Sequence, residues 1–163
     1  MLCLHSVLIV LLEYGFENTI MSYLKGHYYP NIFNYKRMEG QKMNRSIMIV
    51  DDEQHFHDRY AAMLEDSEYE IISAYDGDEA LLKLEKRKPD LMIIDIVLDM
   101  MTGDTLFLYL KSMPEYEDIP VIMTSNVSLR PYKSLKEIDP NLVFLDKTFT
   151  REGLMEEVKA KIT

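Results

Sequence analysis

Four short apolar runs in this 163-residue chain end in side chains able to carry charge or donate a proton. SIMIV (46–50) runs into Asp51 and Asp52, LMII (91–94) into Asp95, VIM (121–123) into Thr124 and Ser125, and LVFL (142–145) into Asp146 and Lys147. Carboxylates that converge on one crevice cannot all ionise cheaply unless a cation compensates them. An all-oxygen ligand set with room for waters suits Mg2+, which takes few carboxylates and keeps part of its hydration shell. A lysine adds a second positive charge and a hydroxyl adds a donor, a combination that would bind and stabilise a phosphoryl group in transfer. Each residue alone has a plainer reading. An Asp after a strand is often only the N-cap of the next helix, and Asp52 or Glu53 could serve the helix through Phe56 in that way.

The set gains meaning from the elements that must position it. Ser46–Val50 reads as a strand, and Phe56, Tyr60, Met63 and Leu64 then recur at helical spacing. Tyr69–Ala74 is a second strand, and Asp76 and Gly77 turn into a helix carrying Ala80, Leu81 and Leu84 that Pro89 stops. Leu91–Ile94 is followed by a loop with Thr102 and Gly103 and a helix with Leu106, Phe107, Leu110 and Met113. Val121–Met123 is the fourth strand. Residues 126–139 read as mostly helix, with Pro131 in its first turn. Leu142–Leu145 is the fifth strand, and Thr150 caps a last helix with Leu154, Val158 and Ile162 on one face. Unbroken apolar strands are buried on both faces, so the pattern predicts an open, doubly wound α/β fold with a five-stranded parallel sheet and five helices. Ligands of such folds bind at the carboxyl ends of the strands, where these side chains fall.

Composition narrows the function. With 28 acidic against 18 basic residues the net charge is −10, which argues against nucleic acid as a partner. The lone cysteine, Cys3, excludes an intramolecular disulfide and a Cys-rich zinc site, and suits a reducing, cytoplasmic setting. His55 and His57 lie two apart on one helix and are expected to be solvated. The twelve methionines read as core filler and loop contacts.

Charge and texture both change near Met43. Residues 1–42 carry a net charge of +1 and residues 43–163 a net charge of −11. Met1–Leu12 is apolar, but twelve helical residues span only ~18 Å against a hydrocarbon core of ~30 Å. It lacks the basic start and cleavage site of a signal peptide. Residues 1–42 are expected to be a poorly ordered extension, or an upstream reading of a gene that starts at Met38 or Met43. The other readings are a membrane-surface anchor through residues 1–12 and a docking element for a partner.

The segments IMIVDDE (47–53), YEIISAYDGDEAL (69–81), PDLMIIDIVLDMMTGDTL (89–106), IPVIMTSN (119–126) and FLDKTF (144–149) resemble the receiver domain of two-component response regulators, the CheY-like, flavodoxin-like fold. The resemblance runs from about Ser46 to the C-terminus. It implies that residues 43–163 are a receiver domain in which Asp95 is the phosphoacceptor, taking a phosphoryl group from a histidine kinase or a phosphotransfer protein. It further implies that Asp52 binds Mg2+ directly, that Asp51 acts through metal-bound water, and that the backbone carbonyl of Val97 completes the ligands with Asp95. Lys147 would pair with Asp95 and then with the phosphoryl oxygens. Ser125 would swing toward the phosphoryl group and Phe144 would repack inward as the aromatic switch. Val97 and Val127 resemble the family's positions that tune dephosphorylation, and neither can hydrogen-bond a hydrolytic water.

Three positions depart from the family pattern. Thr148 replaces the usual proline after the lysine. A non-proline cis bond costs about 2.5–4 kcal/mol, which leaves open both a trans bond with a displaced Lys147 and a cis bond. Asp99 replaces a proline after the phosphoacceptor, and Asp139, Pro140 and Asn141 replace the Gly-Ala before the fifth strand.

Sixteen residues follow Lys147, room for one helix, so the expectation is a stand-alone receiver that signals to a downstream protein. It would catalyse only its own phosphorylation and dephosphorylation, and is not an enzyme of metabolic turnover. The alternative is a receiver-like adaptor working without phosphorylation. A Mg2+-dependent phosphohydrolase would need a second acid at Val97. An FMN carrier would need a phosphate-cradling loop where Asp51, Asp52 and Glu53 stand.

Overall fold

A computed structural model describes residues 45–65 and 67–162. The expectations for residues 1–42 lie outside them. In chain order the elements are β1 (Ser46–Val50), α1 (Gln54–Leu64), β2 (Glu70–Ala74), α2 (Gly77–Leu84), β3 (Leu91–Asp95), α3 (Gly103–Ser112), β4 (Val121–Ser125), a 3₁₀ helix (Arg130–Glu137), β5 (Val143–Asp146) and α4 (Arg151–Lys161). The strands form one parallel sheet in the order β2-β1-β3-β4-β5. This is the five-stranded, five-helix, doubly wound architecture read from the sequence.

Side chains alternate across a strand, and the apolar strands fill a core on each side of the sheet. Ile47, Ile49, Leu91, Ile93 and Ile122 meet Phe56, Tyr60 and Leu64 of α1 and Leu154 and Val158 of α4. Met48, Val50, Met92, Ile94 and Met123 meet Ala80 and Leu84 of α2, Leu106, Phe107 and Leu110 of α3, and Leu135 of the 3₁₀ helix. Each such fully buried aliphatic side chain contributes about 1.5–3 kcal/mol by leaving water. The chain runs outward from β1 to β2, then crosses back to β3 on the other side of β1. The strand order therefore reverses between β1 and β3, and a crevice opens there at the carboxyl ends.

Local chemistry sets the helix starts. Asp76 caps α2 by accepting from the Glu79 amide at 2.7 Å, and Glu79 reaches back to the Tyr75 amide at 2.7 Å. Thr150 caps α4 by accepting from the Gly153 amide at 3.2 Å, as expected.

The segment after β4 differs from expectation. Instead of an α-helix over 126–139, only Arg130–Glu137 is helical, in 3₁₀ geometry with Pro131 in its first turn and Leu135 its buried residue. One buried anchor and no side-chain cap give an α-helical ladder little tertiary support there. β5 begins one residue later than expected, because Leu142 closes a turn onto the Asp139 carbonyl at 2.9 Å.

Candidate functional site

The crevice between β1 and β3 collects the acidic residues. Strand pairing sets Val50 beside Ile94, so Asp51, Asp52 and Asp95 arrive together. The next pairings set Asp95 beside Thr124 and Ser125 beside Asp146, which carries Lys147 to the same edge. Asp51, Asp95, Ser125 and Lys147 are buried, and Asp52 is exposed.

Lys147 Nζ lies 2.7 Å from Asp95 Oδ2, to which it donates, and 2.7 Å from Asp51 Oδ2. One ammonium thus sits between two buried carboxylates. The Lys147–Thr148 peptide is trans, and Lys147 Nζ nonetheless reaches Asp95. The Lys147 side chain is fully buried, with the Phe56 ring centre 3.7 Å from Nζ.

Burial pushes the Asp51 and Asp95 carboxyls above the usual carboxylate range, and Lys147 partly offsets this. A raised pKa makes ionised Asp95 a more basic nucleophile. Its Oδ1 accepts from the Val97 amide at 3.2 Å, while Asp51 Oδ1 accepts from the Glu53 amide at 3.1 Å. The Val97 side chain is exposed.

The donor set fits Mg2+. Asp51, Asp52 and Asp95 each offer an oxygen, all within 4.8 Å of one another. Asp51 Oδ2 is buried with the Lys147 ammonium close by but no hydrogen bond aligned on it. Hard oxygen ligands, one of them lacking a hydrogen bond, suit a hard divalent cation.

The remaining candidates are in place but otherwise engaged. Ser125 Oγ accepts from the Val127 amide at 3.1 Å. Thr124 Oγ1 accepts from the Tyr60 hydroxyl at 3.2 Å and donates to the Ile94 carbonyl at 3.5 Å, a buried polar chain below the crevice. Phe144 is half-buried on β5, packed against the α2–α3 side of the core, with Lys136 Nζ 5.9 Å from its ring centre.

Four residues of the site escaped the sequence reading. His57 is buried, not solvated as expected: its Nε2 lies 2.8 Å from the Asp51 carbonyl, while His55 is exposed. Phe56 faces Lys147, and Arg59 donates to the carbonyls of Lys147 and Phe149. Gly103 lets α3 approach β3 so closely that a Cβ there would meet the Asp95 carbonyl oxygen at 1.9 Å. Its amide donates to the Ile96 carbonyl at 3.0 Å.

The geometry has close counterparts. The chain is 44% identical to the alkaline phosphatase synthesis transcriptional regulatory protein PhoP of Bacillus subtilis over 61 residues, which cover 37% of this chain and 25% of PhoP. It is 26% identical to protein PilG of Pseudomonas aeruginosa over 125 residues, covering 77% of this chain and 93% of PilG. The chain thus spans a quarter of PhoP but nearly all of PilG. The chemotaxis protein CheY4 of Vibrio cholerae superposes with a TM-score of 0.65 at 26% identity, over 73% of this chain and 98% of CheY4. The family model for the response regulator receiver domain matches residues 47–159, continuous from β1 through most of α4, and on that match the chain belongs to the response regulator receiver family.

Proposed function

We propose that Asp95 accepts a phosphoryl group from a phosphohistidine of a histidine kinase or phosphotransfer protein, and that the phosphorylated domain signals to a downstream protein. The observation that carries this reading is the single Lys147 ammonium between the buried Asp51 and Asp95 carboxylates. An Asp95 oxygen attacks phosphorus, the phosphorus–nitrogen bond breaks, and its electron pair returns to the donor imidazole. Lys147 then follows the charge from the carboxylate to the phosphoryl oxygens.

Asp51, Asp52 and Asp95, with the Val97 carbonyl, would hold Mg2+, which supplies charge neutralisation for the transferring group when bound. The Ser125 hydroxyl would exchange the Val127 amide for a phosphoryl oxygen. A hydrogen bond to a charged group is worth about 1.5–3 kcal/mol, enough to bias a two-state surface that includes Phe144. The receiver is the unit of function in residues 43–163, and residues 1–42 are an extension to it. A cytoplasmic setting fits a kinase partner and the lone cysteine. Among the described residues no helix is long and apolar enough to cross a membrane.

The test is intact mass after incubation with acetyl phosphate and Mg2+, with Asp95→Asn as control. A single phosphoryl adduct, lost with EDTA and absent from Asp95→Asn, is expected. No adduct from the small donor or from purified histidine kinases would make the domain a phosphorylation-independent adaptor.

A further inference from the structure

We propose that Arg59 of α1 is a positioning residue that holds Lys147 at the phosphoacceptor, in the place of the proline that this chain lacks. The inference rests on the role proposed above for Lys147. β5 is an edge strand and ends at Asp146, so Lys147 begins a loop with support from the sheet on one side only, through its amide bond to the Ser125 carbonyl at 2.9 Å. Thr148 donates its amide and its hydroxyl to Asp146 Oδ1 at 2.9 and 2.8 Å, which shapes the turn but does not tie it to another element.

Arg59 makes that tie. Its Nη1 donates to the Lys147 carbonyl and its Nη2 to the Phe149 carbonyl at 2.7 Å, so one guanidinium spans Thr148. The guanidinium carbon lies 5.0 Å from the centre of the Phe149 ring, which stacks on Tyr60 at 5.7 Å. Less than one helical turn earlier, Phe56 covers the Lys147 ammonium at 3.7 Å. Both ends of Lys147, the carbonyl and Nζ, are therefore fixed by α1. The guanidinium reaches the two carbonyls from two separate nitrogens while its carbon faces the ring, a spread that the single nitrogen of a lysine does not reproduce.

A bolt that merely stabilised the fold would act alike on every property of the site. A residue acting through Lys147 acts oppositely on two of them. When Lys147 drifts, the phosphoryl group loses its counter-charge and transfer slows. The three carboxylates meanwhile lose the ammonium that competes with a divalent cation, and Mg2+ binds more tightly.

The discriminating variant is Arg59→Lys, which keeps the charge, so tighter Mg2+ binding cannot come from charge removal. Arg59→Gln accompanies it. Both are made in the full chain, checked by circular dichroism, and compared with the unmodified chain for Mg2+ affinity by calorimetry and for acetyl phosphate labelling by intact mass. Labelling about tenfold slower, with the Mg2+ dissociation constant about threefold lower, is expected in both variants. Labelling unchanged, Mg2+ affinity falling along with it, or loss of folded signal in both variants would overturn the assignment. If the unmodified chain takes no phosphoryl group, the proposed function fails by itself. Mg2+ affinity in Arg59→Lys then decides the role of Arg59 alone.

Discussion

Lys147 Nζ lies 3.7 Å from the centre of the Phe56 ring. The buried ammonium that faces two carboxylates thus also meets the electron-rich face of an aromatic ring. Phe56→Leu keeps an apolar side chain but removes both the ring face and some volume. It is expected to lower the unfolding free energy by about 2 kcal/mol, from the lost cation–π contact and the cavity together. Denaturant titration measures this. A loss no larger than that of an exposed substitution would show that the ring acts only as bulk.

Two carboxylates share one ammonium, and the balance has a consequence for pH. Burial raises the folded-state pKa of Asp51 and Asp95 above the ordinary carboxyl value of 3.8. The folded state binds these protons more tightly than the unfolded state, so the pair destabilises the fold once ionised, and the penalty vanishes as pH falls toward 3.8. Asp95→Asn leaves one carboxylate to one ammonium. It is expected to add about 1 kcal/mol of stability near neutral pH, with the gain shrinking in acid. Thermal melts across that range would contradict the charge argument if the gain were flat with pH.

Two residues beyond Asp95 and Ser125 stand exposed apolar side chains, Val97 at 51% and Val127 at 48%. Neither side chain can orient a water by hydrogen bonding, so an aspartyl phosphate on Asp95 should hydrolyse slowly. Val127→Gln introduces a donor and acceptor at that position and is expected to speed loss of the adduct about tenfold. The decay of the mass adduct in Mg2+ buffer is the readout, and rapid decay of the unmodified chain without a phosphatase would sink the idea.

Gly103 is required by space rather than by backbone dihedral. A Cβ at 1.9 Å from the Asp95 carbonyl oxygen forces either α3 or the end of β3 to move. Gly103→Ala is expected to cost about 1–3 kcal/mol and to slow phosphorylation of Asp95, since the shift falls on the phosphoacceptor itself. Denaturation and mass labelling report the two effects separately. Normal labelling in the variant would place the strain on α3 alone.

The strand-end residues were legible because a parallel sheet delivers its carboxyl ends to one edge, so Asp51, Asp52, Asp95, Ser125 and Lys147 could be grouped without coordinates. The residues that arrange them were not. Arg59 finds its carbonyl partners 88 and 90 positions away, a contact that no local period announces. His57 is buried with Phe56, Tyr60 and Leu64 of α1 because its ring reaches the Asp51 carbonyl and packs 4.4 Å from the Tyr75 ring. The spacing of His55 and His57 says only that they diverge. A trans Lys147–Thr148 bond is compatible with Lys147 at Asp95 because α1 holds the loop by side-chain bonds. The 3₁₀ helix escaped because buried Leu135 and half-buried Tyr132 give little support to the α-helical ladder that propensity and Pro131 allowed.

That short helix gives the domain an uneven energy landscape. β1 and β3 are central strands whose amides are shielded on both faces, and their exchange with solvent follows global unfolding. Arg130–Glu137 rests on buried Leu135, half-buried Tyr132 and 3₁₀ bonds of poorer geometry, so its opening free energy is expected to be lower than that of the sheet. The segment between β4 and β5 can therefore unlatch while the sheet beneath stays folded. A partner that binds the unlatched form needs only a modest preference to shift the population.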